Sequence, residues 1–420
     1  MAERIRRHPL IGALLSLRGN ARACVYTEPL WGIPFFLYTP FVTLYMHRLG
    51  VGDARIGLIA SAAMAFQIVF SLLSGPITDK LGRRKTTLFC DLLSWSVPVI
   101  VWAFARDFWW FLAAAVLNGV SLIGANSWTC LLVESAEHDR LIDIYTWVTI
   151  SGLLAAFLAP VSGALVQKYS VVPVMRALYI FAFVLMTAKF VTLYIFSAET
   201  ARGKERMAQA RGVPLWRLAA GSGSVLAGVF RNRQTACVVA IYVLFNIQSV
   251  VAGNFFPLYV TGSLGVPDSL VAYFPIIRSA VMLAFLFGVQ HLLVRLNFRA
   301  PMFMGLGLYF AGTLLLILPW AGGLARPILY TLFESFAFAI VSPRKDSLVI
   351  IFVDPKDRAR IMGAIYALML ALSAPFGWIA GALSSVNRAY PFYLNLGVFL
   401  AFVGAVGILR DVKTSERIIP

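Results

Sequence analysis

The feature that most constrains this chain is a run of apolar stretches, each about 20 residues long, separated by short polar connections. A bilayer core of about 30 Å is crossed by roughly 20 helical residues. Inside lipid, backbone polar groups find partners only within helices or closed barrels. The stretches therefore predict helical spans, near 25–47, 54–77, 86–105, 109–133, 143–166 and 175–197, then 235–261, 270–293, 300–320, 327–351, 361–385 and 390–409. Composition agrees: 60% of the 420 residues are apolar and 13% charged. A soluble domain carries about 25% charged residues.

An even number of spans returns both termini to one side. The N-terminus and the loops after even-numbered spans hold roughly 25 of the 36 Lys and Arg residues, and such residues gather in the cytoplasm. Both termini are therefore expected in the cytoplasm, with the chain in the cytoplasmic membrane of a prokaryote. The net charge of +17 lies scattered on alternate loops. It reads as a topology signal and not as a phosphate-binding face, which excludes nucleic acid as a partner. Arg4, Arg6, Arg7, Arg18 and Arg22 precede the first span without a small-residue cleavage site, so residues 1–24 read as a retained cytoplasmic segment.

Other classes fall away on motif grounds. Cys24, Cys90, Cys130 and Cys237 sit in or beside apolar segments, and the four histidines are far apart; neither set has metal-ligand spacing. No metal or cofactor is expected. No nucleotide-binding loop is visible, which argues against ATP-driven transport. No His, Asp or Ser constellation suggests an enzyme.

The chain divides into a six-helix unit (25–197), a basic linker (198–234), a second six-helix unit (235–410) and a tail (411–420). The linker carries Arg202, Lys204, Arg206, Arg211 and Arg217, with an apolar stretch from Val213 to Leu218, and reads as an amphipathic helix on the inner leaflet. The two units are similar. Phe41, Leu44, Tyr45, Leu49, Gly50, Val51 and Asp53 are echoed by Phe256, Leu258, Tyr259, Leu264, Gly265, Val266 and Asp268. Ala159 and Pro160 are echoed by Ala374 and Pro375. A duplicated unit suits a two-state machine whose halves rock about a central site.

The loop after the second span contains Gly75, Asp79, Lys80, Gly82, Arg83 and Arg84. It resembles the major facilitator superfamily signature Gly-x-x-x-Asp-Arg/Lys-x-Gly-Arg-Arg/Lys. With the span count and duplication, the resemblance covers nearly the whole chain. It implies an all-α membrane protein of two pseudo-symmetric six-helix bundles, acting as a monomeric secondary transporter for a small solute, with protons as the coupling ion. It also implies a cytoplasmic latch in which Arg83 bridges Asp79 and Glu134. In residue terms, Gly75 and Gly82 allow tight turns and close helix approach, and Asp79 sits at a helix end where an arginine holds it ionised. The second unit, from Gly288 to Arg299, keeps little of the signature. The fifth span, with Gly152, Pro160 and Gly163, is similar to the antiporter motif of the same superfamily, with two glycines replaced by alanine. Ordinary helix packing explains these residues equally well.

Ionisable groups inside spans normally face a cavity or a partner. Arg278 and Glu334 both lie about 10–12 Å below the outer ends of their spans, and are expected to pair, either as a proton switch or as a static pair. Glu28 in the first span is a candidate for coupling or cation recognition. Arg344, Lys345 and Asp346 are either a gate or snorkelling side chains, and Lys189 is expected to snorkel. Polar and aromatic candidates for the site are Trp31, Tyr38, Gln67, Asn118, Asn126, Trp128, Asn246, Gln248 and Asn254. Two solute readings remain, export of amphipathic or cationic compounds and uptake of a polar nutrient such as a sugar or organic anion, with the balance toward export. A transport-inactive receptor or scaffold is the third reading.

Overall fold

The computed structural model describes residues 14–134, 141–215, 233–289, 293, 297–319, 322–352 and 358–409. The fold is all-α. Among the described residues, ten helices are long and apolar enough to cross a membrane. Two more long helices, 19–48 and Ala325–Phe352, take the remaining places of the twelve expected spans. The linker side denotes the side that holds the connection between the halves, and the far side its opposite.

Span 1 is built of Gly19–Tyr38, a 3-10 turn at Thr39–Phe41 and Val42–Arg48. Pro40 has no N–H to continue the α ladder, which places the irregular turn there. Spans 2 to 4 are Asp53–Leu81, Arg83–Ala103 and Phe108–Val133. Span 3 contains a π turn at Leu92–Ser96. Span 5 runs as Leu141–Ala156 and Ala159–Tyr169, with Pro160 in the first turn of the second piece. Span 6 is Val171–Phe196 and the linker helix Ala201–Gln209. Spans 7 to 12 are Arg233–Gly262, 268–288, Arg299–Ile317, Ala325–Phe352, Arg358–Val386 and Tyr390–Ile408.

Residues 19–24, expected in the cytoplasmic lead-in, are helical and continuous with the helix of span 1. Asn20 supplies the reason: its side chain donates to the Ala198 carbonyl at 2.9 Å and accepts from the Ala198 N–H at 2.8 Å. That clamp fixes the first turn against the end of span 6. Residues 1–13, Trp216 to Leu218 of the amphipathic stretch, and the tail from 410 lie outside the described residues.

The duplication reappears as repeated chemistry. Arg84 donates to the Tyr194 carbonyl at the end of span 6. Arg299 donates to the Leu409 carbonyl at the end of span 12. Donor and acceptor both recur 215 residues later, from 84 to 299 and from 194 to 409. Each arginine satisfies a terminal carbonyl that the helix itself leaves unpaired.

The contacts between the halves gather on the far side. Arg48 meets Asp268 at 2.6 Å. Asp53 accepts from Arg388 at 3.2 Å and from Ser384 at 2.7 Å. Below these pairs, spans 2 and 11 touch backbone to backbone: a Cβ on Gly57 would overlap the Gly377 carbonyl, and the Gly381 Cα would lie at 2.8 Å. Ser61 then enters the ladder of span 11. Its hydroxyl donates to the Ala374 carbonyl at 2.5 Å and accepts from the Trp378 N–H at 2.7 Å, two groups that would otherwise bond each other. A side chain inserted next to Pro375 is a recognised way to bend a helix.

Candidate functional site

The latch is assembled at the linker end of spans 2, 3 and 4. Gly82 takes φ +84°, a conformation glycine adopts without strain, and turns the chain directly into span 3. Arg83 is buried; its guanidinium bonds Asp79 at 2.9 Å and Glu134 at 3.3 Å. Two participants escaped the sequence reading. The Glu199 carboxylate accepts the backbone N–H groups of Arg83 and Arg84, both at 3.0 Å. It places negative charge at the start of a helix, where the dipole favours it. Thr200 donates to Glu134 at 2.5 Å and caps the linker helix by accepting from the Gly203 N–H at 2.8 Å. The linker is therefore part of the latch. Gly75, expected to allow close packing, lies inside the continuous helix of span 2, and a Cβ added there would meet nothing within 4 Å. Glu199→Ala is expected to lower stability by about 1 kcal/mol, the usual effect of losing a helix cap, read as the thermal midpoint of the purified protein in detergent.

A second cluster lies in the far half. The Arg278 guanidinium sits 3.3 Å from the Glu334 carboxylate and 4.5 Å from the Phe338 ring centroid. Both charged residues line a cavity of about 460 Å³ between the halves, with Phe36 and Pro40 from span 1 and Phe256, Phe274 and Tyr330 from the second half. The wall is mostly apolar, with aromatic rings from both halves and one ion pair. Arg278 is 39% exposed and Glu334 only 9%. The sequence reading paired the two residues but missed Tyr330, which carries no charge to mark it.

A third cluster lies toward the linker side in the first half. Lys189 was expected to snorkel to the lipid surface. It is buried instead and bonds Glu28 at 2.9 Å, because span 6 turns that face toward span 1. The ammonium also lies 5.6 Å and 5.7 Å from the ring centroids of Trp31 and Trp128. Asp91, a residue the sequence reading did not single out, is buried beside this pair and close enough to interact with both charges. It fills the space left by Gly124, whose Cβ would collide with its carboxylate. The signal for Asp91 was present in the sequence, as an acid within a span.

The remaining candidates spread out. Tyr38 is buried among Trp102 and Tyr179, at ring distances of 6.4 Å and 5.2 Å, away from the cavity. Asn118 donates to the Ser94 carbonyl at 2.9 Å and so satisfies the π turn of span 3. Asn246 faces Met64 of the other half. Gln248 is buried, and Asn254 bonds the Val250 carbonyl of its own helix. Gln67 is half-buried and Asn126 exposed. Arg344 is buried and donates to the Ile340 and Leu293 carbonyls, while Lys345 lies over the Tyr242 ring at 4.0 Å beside Asp346. Neither Arg344 nor Lys345 snorkels. In span 5, Gly163 allows contact with the other half: a Cβ there would lie 2.5 Å from the Ser269 carbonyl. Gly152 has only a distant neighbour in Phe36.

The sequence pattern described as Major Facilitator Superfamily matches residues 31–377. The chain belongs to that superfamily. Among curated relatives, multidrug resistance protein MdtG of Serratia proteamaculans is 29% identical over 191 residues, 44% of this chain and 46% of the relative. MdtG of Rahnella sp. is 29% identical over 171 residues, 39% of this chain and 40% of the relative. This major facilitator protein thus spans under half the length of the curated relatives it matches. Among solved structures, a mutant of nucleoside transporter NupG aligns with a TM-score of 0.73 at 16% identity, covering 93% of this chain and 100% of the other. The human organic anion transporter MFSD10 (TETRAN) aligns at 0.64 and 18% identity, covering 92% and 98%. At such identities the likeness is one of fold. The protein is a member of the major facilitator superfamily, integral to the membrane and multi-pass.

Proposed function

We propose that this major facilitator transporter is a proton-coupled exporter of small amphipathic or cationic compounds. It would work as a monomer in the cytoplasmic membrane of a prokaryote, with the linker side in the cytoplasm. The observation that carries the reading is the Arg278–Glu334 pair in the wall of a largely apolar cavity between the halves. An apolar wall with several aromatic rings accepts varied apolar bodies, and a few fixed polar groups orient them. The partial relationship to MdtG proteins, whose name is multidrug resistance protein, supports export.

In the proposed cycle, Glu334 takes up a proton and loses its hold on Arg278. The freed guanidinium then faces the solute, and the balance between far-side-closed and far-side-open arrangements shifts. Glu28, paired with Lys189, is the second candidate for the proton. The test is solute movement in proteoliposomes under an imposed pH gradient. Glu334→Gln is expected to abolish gradient-driven accumulation and to retain exchange of labelled for unlabelled solute. If Glu334→Gln and Glu28→Gln both keep full gradient-driven transport, the coupling reading is wrong.

One observation favours the alternative of uptake of a polar nutrient or organic anion: Arg278 is the more exposed partner and Glu334 the buried one. An anionic solute that accumulates inward against its gradient would establish it. No movement of any screened solute would leave the receptor or scaffold reading.

A further inference from the structure

Where the halves meet on the far side, a histidine stands between an acid and an arginine that also bind each other. His47 lies at the far end of span 1. Its Nε2 is 2.9 Å from the Arg388 guanidinium, and its Nδ1 is 3.4 Å from the Asp53 carboxylate. Arg388 belongs to the turn between spans 11 and 12, in the second half. Its guanidinium fills the room left by Gly262 at the end of span 7, where a Cβ would collide with it. A guanidinium only donates, so the Nε2 beside it must accept. The imidazole in this arrangement is therefore neutral, with its proton on Nδ1, on the side of Asp53.

The surrounding charges decide what a further proton does. The charged groups facing His47 are Arg48 on its own helix, Asp53 on span 2, Asp268 at the start of span 8, and Arg388. Arg48 pairs with Asp268 and Arg388 with Asp53, so two cations meet two anions. A proton on His47 adds an unbalanced positive charge. It also sets an N–H donor against the donors of Arg388, and that contact to the second half is lost. Asp53 adds a second effect. Its Oδ2 accepts from Ser384 and Arg388 of the second half, while its Oδ1 faces His47 of its own half. An imidazolium competes with the second half for this carboxylate. Neutral His47 thus ties the halves together, and charged His47 draws Asp53 back to the first half. The ring is 37% exposed, so water on the far side delivers the proton directly.

We propose that His47 is a proton-binding site that controls closure of the far side: its neutral ring locks spans 1 and 2 to the turn between spans 11 and 12, and its protonation releases them. Imidazole changes charge between about pH 5 and 8. The far-side-closed arrangement needs the neutral ring, so it holds at the upper end of that range and gives way at the lower. In an exporter whose far side is the proton-rich one, this opens the gate where the solute leaves. The inference rests on the export reading only for that consequence. Opening is measured without solute, which tests it apart from transport.

The probe is the proton, and the readout is the distance between spin labels on Arg106→Cys and Leu324→Cys. Arg106 lies in the far-side turn between spans 3 and 4, Leu324 in that between spans 9 and 10, and both are exposed. The four native cysteines are replaced by alanine, and the full-length protein is held in lipid nanodiscs. The ratio of long-distance to short-distance populations is expected to rise roughly tenfold from pH 8 to pH 5. His47→Gln keeps a neutral acceptor for Arg388 and is expected to stay closed across the range. His47→Arg fixes a positive charge and is expected to stay open across it. Glu334→Gln is expected to keep the pH response, because its carboxyl takes no part in this lock. An unchanged ratio in the wild type, or a full pH response in His47→Gln, would overturn the proposal. A response lost in Glu334→Gln but kept in His47→Gln would overturn it too, and would leave the coupling reading standing.

Discussion

Gly57→Val is expected to reduce transport at least tenfold while leaving the protein folded. In the far-side-closed arrangement, any Cβ at position 57 overlaps the Gly377 carbonyl and crowds the Gly381 Cα at 2.8 Å. Both obstacles are backbone, so no side-chain rotation relieves them, and packed interiors resist such insertion. The remaining route is separation of spans 2 and 11. That separation also withdraws the Ser61 hydroxyl from between Ala374 and Trp378 and loosens the bonds from Asp53 to Ser384 and Arg388. The variant should therefore populate the far-side-open arrangement. A cysteine placed at Ser384, buried in the closed arrangement, should react with a water-soluble maleimide faster in the Gly57→Val background. Gly404→Ala is the control, because nothing lies within 4 Å of its Cβ position. Normal transport and unchanged labelling in Gly57→Val would show that the glycine contact does not govern closure.

Arg83→Leu is the second large effect. It removes the cation that Asp79 and Glu134 share and leaves Glu134, 9% exposed, without its positive partner. Breaking one side of a buried pair lowers stability by about 3–5 kcal/mol. Arg83→Lys keeps the charge but lacks the planar fork that reaches two carboxylates at once, so it should fall between leucine and wild type. Adding Glu134→Gln to Arg83→Leu should recover part of the loss, since the orphaned charge disappears. Thermal unfolding in detergent and transport assays read all three variants. If Arg83→Leu unfolds at the wild-type temperature, the latch contributes little, and Arg83 is a topology charge alone.

The first of these contacts was invisible in the sequence and the second nearly legible. Gly75, Asp79, Gly82, Arg83 and Arg84 lie within ten residues of one another, so their spacing around one turn is a local property. Glu199 joins them from 116 residues away, and no local pattern marks it. Lys189 shows the same limit from the other direction. A lone lysine in a span is correctly read as needing relief from lipid, but a sequence does not say whether that relief is the membrane surface or a partner on span 1. The Arg278–Glu334 pair was legible because two opposite charges at matched depth have few other ways to be accommodated.

The sequence by itself determined the class of molecule, because period, length and composition act residue by residue: helices of bilayer length, a repeated six-helix unit, and a basic turn with a superfamily signature. Proline and glycine also set several breaks, at Pro40, Gly82 and Pro160. Only the tertiary structure decided which charges meet and where the halves touch. Those outcomes depend on helix rotation and tilt, which are fixed by packing among many spans at once and not by any one of them. Gly57 resting on Gly377, Ser61 entering span 11 and Lys189 seated against Glu28 are all results of that collective packing.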